Sequence, residues 1–347
     1  MTADVNRYHI GLRREGLGKR GGTGGRGRLF ASEIMAVFSI VDELRTYGPA
    51  GTSVVAAPPP SLAAAENYCR RLATTHYENF AVASRLLPRT LRRHFYNVYA
   101  YCRWSDDLAD ETGDRERSLE LLDWWEAELR ACYAGEVRHP VFVALRGTIA
   151  EFDIPPAPFL DLLAAFRQDQ TVRRYADYDA LLGYCRNSAD PVGRLVLYLA
   201  RRHRPELLRY SDAICTGLQL ANFWQDVRRD YAVGRVYLPQ DDLRRFGVDE
   251  AELGAAQASR ALRDLLAFEV DRAERLLRSG LPLVAAMPRG LAGDIWLFAQ
   301  GGLRILAKIR AQDFDVLAHR PKVTKWDQLR LLVGCLWRNK FGGEPNS

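Results

Sequence analysis

Gln219, Asn222, Asp226 and Asp230 lie in the run QLANFWQDVRRDYAVGRVYLP, and at about 100° per residue they share one narrow arc of a helix. Carboxylates four residues apart repel each other on a helix, so Asp226 and Asp230 call for open water or a shared cation. Leu220, Phe223 and Trp224 beside them argue against open water. The same geometry recurs in YAYCRWSDDLADE, where Tyr99, Arg103, Asp106 and Asp110 follow one another at offsets that keep to a single stripe. Hard cations such as Mg2+ take oxygen ligands, and a few carboxylates usually hold them together with substrate phosphates. Two facing stripes would clamp a diphosphate through shared Mg2+. Either Asp-x-x-x-Asp alone is the ordinary pattern of a solvated helix face. The pair carries more, because each stripe also holds anion-handling groups, Arg103 in one and Gln219 with Asn222 in the other.

Two such stripes demand long helices, and from Ser61 onward the apolar spacing is helical nearly throughout. It predicts helices at Leu62–Thr74, Leu91–Ala109, Ser118–Ala134, Val141–Glu151, Phe159–Gln170 and Ser211–Tyr231, with Arg194–Ala200 resuming an apolar run. YCRNSADPVG, from Tyr184 to Gly193, interrupts the pattern. Pro191 there either bends a helix beside a cavity or marks a surface turn. GRVYLPQDDLRRFG reads as an ordered loop, with Pro239 ahead of another helix. From Ala251 to about Trp337, helices alternate with breaks at Gly280, Pro282, Pro288 and Gly301. The expected fold is all-α, one bundle around a central cavity lined by inward-facing side chains.

Residues 11–28 are rich in Gly and Arg and have no apolar period, so disorder is expected there. Ile34, Val37, Phe38 and Val41 share a face, which predicts a short helix within Phe30–Tyr47. Pro58–Pro60 closes this extension and Ser61 is a natural N-cap, so residues 1–60 precede a main domain at 61–347. The six cysteines are dispersed, which reads as free thiols in a reducing compartment. The six histidines are as scattered, and no zinc constellation presents itself. No apolar run approaches the roughly 18 residues of a membrane span, and the N-terminus lacks a cleavable signal pattern. The expected location is cytoplasmic. A net charge of +6, with eight basic and five acidic side chains in residues 1–60, is too thinly spread for a nucleic-acid footprint. It suits weak peripheral attraction to an anionic membrane at its inner face.

At its two stripes the sequence resembles the trans-isoprenyl diphosphate synthases of the squalene and phytoene synthase family, over about His76 to Pro239. The first stripe, Q-x-x-N-x-x-x-D-x-x-x-D and GRVYLP together carry the resemblance. It implies an isoprenoid synthase bundle in which Asp106, Asp110, Asn222, Asp226 and Asp230 hold Mg2+ against a diphosphate. Gln219, Arg103, Arg235 and Tyr237 would lie near that anion, and Phe80, Tyr99 and Tyr184 would border the hydrocarbon chain. Ionising the diphosphate leaves an anion for the metal to take up and a cation that aromatic faces, Tyr99, Phe80 and Phe223, stabilise without attacking it.

Some positions depart from the family's commonest pattern. Gln225 stands where squalene and phytoene synthases usually carry arginine, and Ser188-Ala189-Asp190-Pro191-Val192-Gly193 replaces V-A-G-x-V-G. Both departures, with YENFAVASRLLP from Tyr77 to Pro88, resemble bacterial hydroxysqualene synthases of hopanoid pathways. That branch implies conversion of presqualene diphosphate and water to hydroxysqualene and diphosphate, with handover to other hopanoid enzymes. Asn187 stands where this branch has tyrosine, which removes any tyrosine-specific role there. The rivals are a head-to-head prenyltransferase using the same metal site and a non-catalytic assembly factor, which would have lost carboxylates. A membrane-binding module would rest on residues 1–60 alone.

Overall fold

The computed structural model describes residues 39–49, 58–75 and 87–341. Among them every regular element is a helix. In chain order these are α1 Ile40–Tyr47, α2 Leu62–Thr75, α3 Arg89–Asp110, α4 Arg115–Ala134, α5 Pro140–Phe152, α6 Ala157–Asp169 and α7 Tyr178–Ser188. They continue as α8 Asp190–Leu199, α9 Pro205–Ala232, α10 Gln240–Phe246, a 3-10 turn Glu250–Gly254, α11 Arg260–Gly280, α12 Leu283–Ala286, α13 Arg289–Ala311 and α14 Lys325–Phe341. The all-α expectation holds. Most of the expected N-terminal extension, and Phe80, lie outside the described residues. No described helix is long and apolar enough to cross a membrane.

Local chemistry sets the helix ends. The Asp114 carboxylate accepts the amides of Glu116 and Arg117, and Gly135 closes α4 in the left-handed conformation at φ 93°. His139 caps α5 ahead of Pro140, and Ser259 caps α11. His139 is buried at the N-cap, and desolvation lowers its pKa well below the ordinary histidine value. The neutral ring accepts the Val141 amide through Nδ1.

α3 is fixed by the face opposite its stripe. Trp104 stacks on Trp125 at 5.2 Å, the Trp104 indole donates to Tyr68, and the Trp125 indole donates to Ser105. Tyr101 donates to the Phe159 carbonyl. These bonds tie α3 to α2, α4 and α6 and leave the side of Tyr99, Arg103 and Asp106 for other duties.

The second stripe helix, α9, is anchored chiefly by α11. The approach is close enough to require glycine on both sides. A Cβ on Gly217 would lie 2.6 Å from Leu277 Cγ and 3.1 Å from its backbone nitrogen. One on Gly280 would lie 2.6 Å from the Tyr210 carbonyl oxygen and 3.0 Å from the Ile214 nitrogen.

Two expectations about breaks need correcting. The Tyr184–Gly193 stretch is no surface turn: α7 ends at Ser188 and α8 begins at Asp190, with Ser188, Ala189, Asp190, Pro191 and Gly193 all buried. Pro191 sits in the first turn of α8, where a missing N–H breaks no helical bond, and Thr216 of α9 donates to Asp190 at 2.7 Å. Gly301 does not break a helix, since α13 runs through it uninterrupted. One exposed backbone position without a side chain weakens a helix without stopping it.

Replacing Gly280 with alanine drives a methyl group into the backbone of α9. The expected cost is about 1–3 kcal/mol of stability, read as a lower urea midpoint at unchanged m-value.

Candidate active site

The stripe helices α3 and α9 make little direct backbone contact, and both pack on α8. Of the first stripe, Tyr99, Arg103 and Asp106 are buried at 4–5% exposure, so this is not a solvated helix face. Asp110, the last residue of α3, is partly exposed. Of the second stripe, Gln219, Asp226 and Asp230 are buried, and Asn222 is half-buried with its amide 3.4 Å from Asp226.

The segment after α9 brings the stripes together. Arg235 lies 3.4 Å from Asp110, and its backbone amide bonds the Asp230 carbonyl at 2.8 Å. Backbone bonds from Val236 to Arg173 and from Gln240 to Tyr175 pin GRVYLP against the chain between α6 and α7. Phe223, Asp230, Arg235 and Tyr237 consequently line one small cavity. Tyr237 stacks on Phe223 at 3.8 Å, and Tyr184 and Tyr175 complete an aromatic wall. The Tyr184 hydroxyl donates to Asp169, which fixes the ring within that wall.

Guanidinium groups answer the buried carboxylates. Arg320, in the segment before α14, grips both oxygens of Asp226. The Gln225 amide donates to the Pro321 carbonyl and Arg228 donates to the Leu317 carbonyl, so three residues within about one turn of α9 hold that segment down. Arg103 directs Nε and Nη2 to Asp107, at 2.7 Å each, with Glu111 3.5 Å away. Its Nη1 is buried without a hydrogen-bond partner.

Sequence spacing did not find Arg320 or Asp107. Arg320 is 94 residues from Asp226, and nothing in its surroundings marks it. Asp107 falls off the stripe, yet it is the fully buried countercharge of Arg103.

The expected metal ligands do not already surround a point. Among the described residues, no three carboxylate, histidine or cysteine groups cluster closely enough to hold an ion. The donor set nonetheless fits a hard cation: it is all oxygen, and Gln219 Oε1 and Asn222 Oδ1 are buried acceptors without partners.

An all-α bundle with buried acidic stripes on two helices has the isoprenoid synthase architecture, a class of enzymes. The squalene/phytoene synthase family model matches residues 73–327, and the chain belongs to that family. It is 31% identical to a phytoene synthase of Arthrospira platensis over 76% of this chain and 90% of that one. It is 42% identical to a hydroxysqualene synthase of Rhodopseudomonas palustris over 60% of this chain and 70% of that one. The crystal structure of the squalene synthase HpnC from Alicyclobacillus acidocaldarius superposes with a TM-score of 0.70. It is 47% identical and covers 74% of this chain and 97% of its own.

Asp107→Ala leaves the Arg103 guanidinium buried without its main countercharge. The expected loss is about 3–5 kcal/mol, measured by chemical denaturation.

Proposed function

We propose that this enzyme is a hydroxysqualene synthase, converting presqualene diphosphate and water to hydroxysqualene and diphosphate. The observation that carries the reading is the departure at Gln225. In place of the arginine usual in head-to-head synthases stands a buried neutral amide, spent on the Pro321 carbonyl rather than on an anion. Similarity to hydroxysqualene synthases, at 42% identity to that of Rhodopseudomonas palustris, supports it. A phytoene-type head-to-head prenyltransferase is the second reading, favoured by the greater extent of the match to phytoene synthase.

In this proposal residues 61–347 form the catalytic unit, and Asp106, Asp110, Asn222, Asp226 and Asp230 hold Mg2+. When bound, Mg2+ neutralises charge on the departing diphosphate. Gln219, Arg235 and Tyr237 flank that anion as hydrogen-bond donors, with Arg103 behind them. Arg320, paired with Asp226, would add a guanidinium to the same end of the site. Tyr99, Phe223 and Tyr184 turn π faces toward the chain, where they stabilise the cyclopropylcarbinyl cation through its rearrangement. Phe80, outside the described residues, is proposed for the same role by resemblance alone. Among the described residues, no buried lysine amine competes with water for the cation.

Purified protein with Mg2+ and presqualene diphosphate, without reductant, should release hydroxysqualene and inorganic diphosphate. Asp226→Asn should lower kcat by about a hundredfold or more, and chelation should abolish turnover. Inertness toward presqualene diphosphate, with condensation of two farnesyl or geranylgeranyl diphosphates instead, would establish the second reading.

A further inference from the structure

A second, larger cavity of about 80 Å³ opens between α3, α8, α9 and α13. Its walls include Phe95, Gly193, Cys215, Leu218 and Phe298, and almost all of the lining is apolar. Phe95 precedes Asp106 by eleven residues on α3 and Leu218 precedes Asp226 by eight on α9. At 1.5 Å per residue the cavity lies about 12–16 Å further along both stripe helices than the carboxylates. On one side of it α8 packs closely on α9 through Gly193. A Cβ on Gly193 would lie 2.3 Å from Ser211 Oγ and 2.6 Å from Cys215 Sγ.

One wall residue does not belong in such a lining. Asp294 of α13 is 4% exposed, and neither carboxyl oxygen has a hydrogen-bond partner. Burial raises its pKa to about 7, so at neutral pH much of it is the uncharged acid. A bare buried carboxyl is costly in either protonation state, and cavities of this size with a polar anchor hold water. A hydrocarbon tip that excluded water from the acid would leave it without partners, whereas a shorter tip that stopped before it would not.

Taking this cavity as the apolar end of the substrate site whose diphosphate sits at the carboxylate stripes, we propose that hydrated Asp294 in its wall is a polar stop that limits chain length. The inference rests on the proposed placement of the diphosphate but not on which reaction follows. Asp294 thus acts on specificity at the end of the chain remote from the chemistry.

The test reads binding, not turnover. Non-ionising thiolodiphosphate analogues with fifteen- and twenty-carbon chains are titrated by calorimetry into the full-length protein with Mg2+. Asp294→Leu should move the ratio of the two Kd values toward the longer chain by about tenfold, equivalent to 1.4 kcal/mol. Asp294→Asn, which can still hold water, should keep the wild-type ratio. Asp294→Ala removes the same oxygens without adding bulk and must shift the ratio in the same direction, so the test survives if the leucine variant fails to fold. An unchanged ratio in folded Leu and Ala variants overturns the proposal, as does an equal shift in the Asn variant, which would make shape rather than polarity the cause. If neither analogue binds the wild type, the diphosphate placement falls and this inference falls with it. A shift in chain preference by a protein inert toward presqualene diphosphate would refute the reaction proposed above and leave the polar stop standing.

Discussion

Like charges taken out of water must be answered, and that constraint organises this molecule. Asp106, Asp107, Asp226 and Asp230 are all buried to 5% exposure or less on two helices. The free-energy cost of an uncompensated buried carboxylate is several kcal/mol. The fold meets it for Asp107 with Arg103 from within α3 and for Asp226 with Arg320 from just before α14, while Arg235 after α9 reaches the more exposed Asp110 at the end of the first stripe. The Asp110–Arg235 and Asp226–Arg320 pairs each tie a neighbouring segment to a stripe helix, so the charge balance and the tertiary structure are one arrangement.

The rest of the bundle keeps the stripe helices where they can face a ligand rather than each other. The tryptophan stack under α3 and the glycine-mediated seam between α9 and α11 occupy the sides of these helices away from the stripes. With both backs fully packed, the remaining sides are free to border space, and space appears along them in two places. Near the carboxylates the small cavity is walled by Phe223 and Tyr237, and deeper in the bundle the larger one is nearly all apolar. A polar end and a greasy end along the same pair of helices match a ligand with an anionic head and a hydrocarbon body.

Helices were readable because amphipathic spacing and caps act locally, and α2, α3, α4, α5 and α9 lie within a few residues of where periodicity puts them. Errors came where burial overrode local signals. Pro191 looked equally suited to a surface turn because a proline-glycine pair is ambiguous until it is known what covers it. Gly301 looked like a stop because a single glycine's cost is small enough for the surrounding helix to absorb. Arg103 had the right spacing for the stripe, but its guanidinium turns to Asp107, one residue off that line, and helical projection does not determine which way a long side chain points.

From the chain alone came the residue types and their order: oxygen donors in two stripes, aromatic neighbours, a glutamine beside Asp226, and enough amphipathic helix for a bundle. These follow from covalent sequence and the period of one helix. Only the folded structure decided that Arg320 answers Asp226 across 94 residues, that Gln225 holds down the segment bearing it, and that Asp294 looks into a cavity shared by several helices. Such pairings depend on the packing of elements distant in sequence, and no local pattern encodes them.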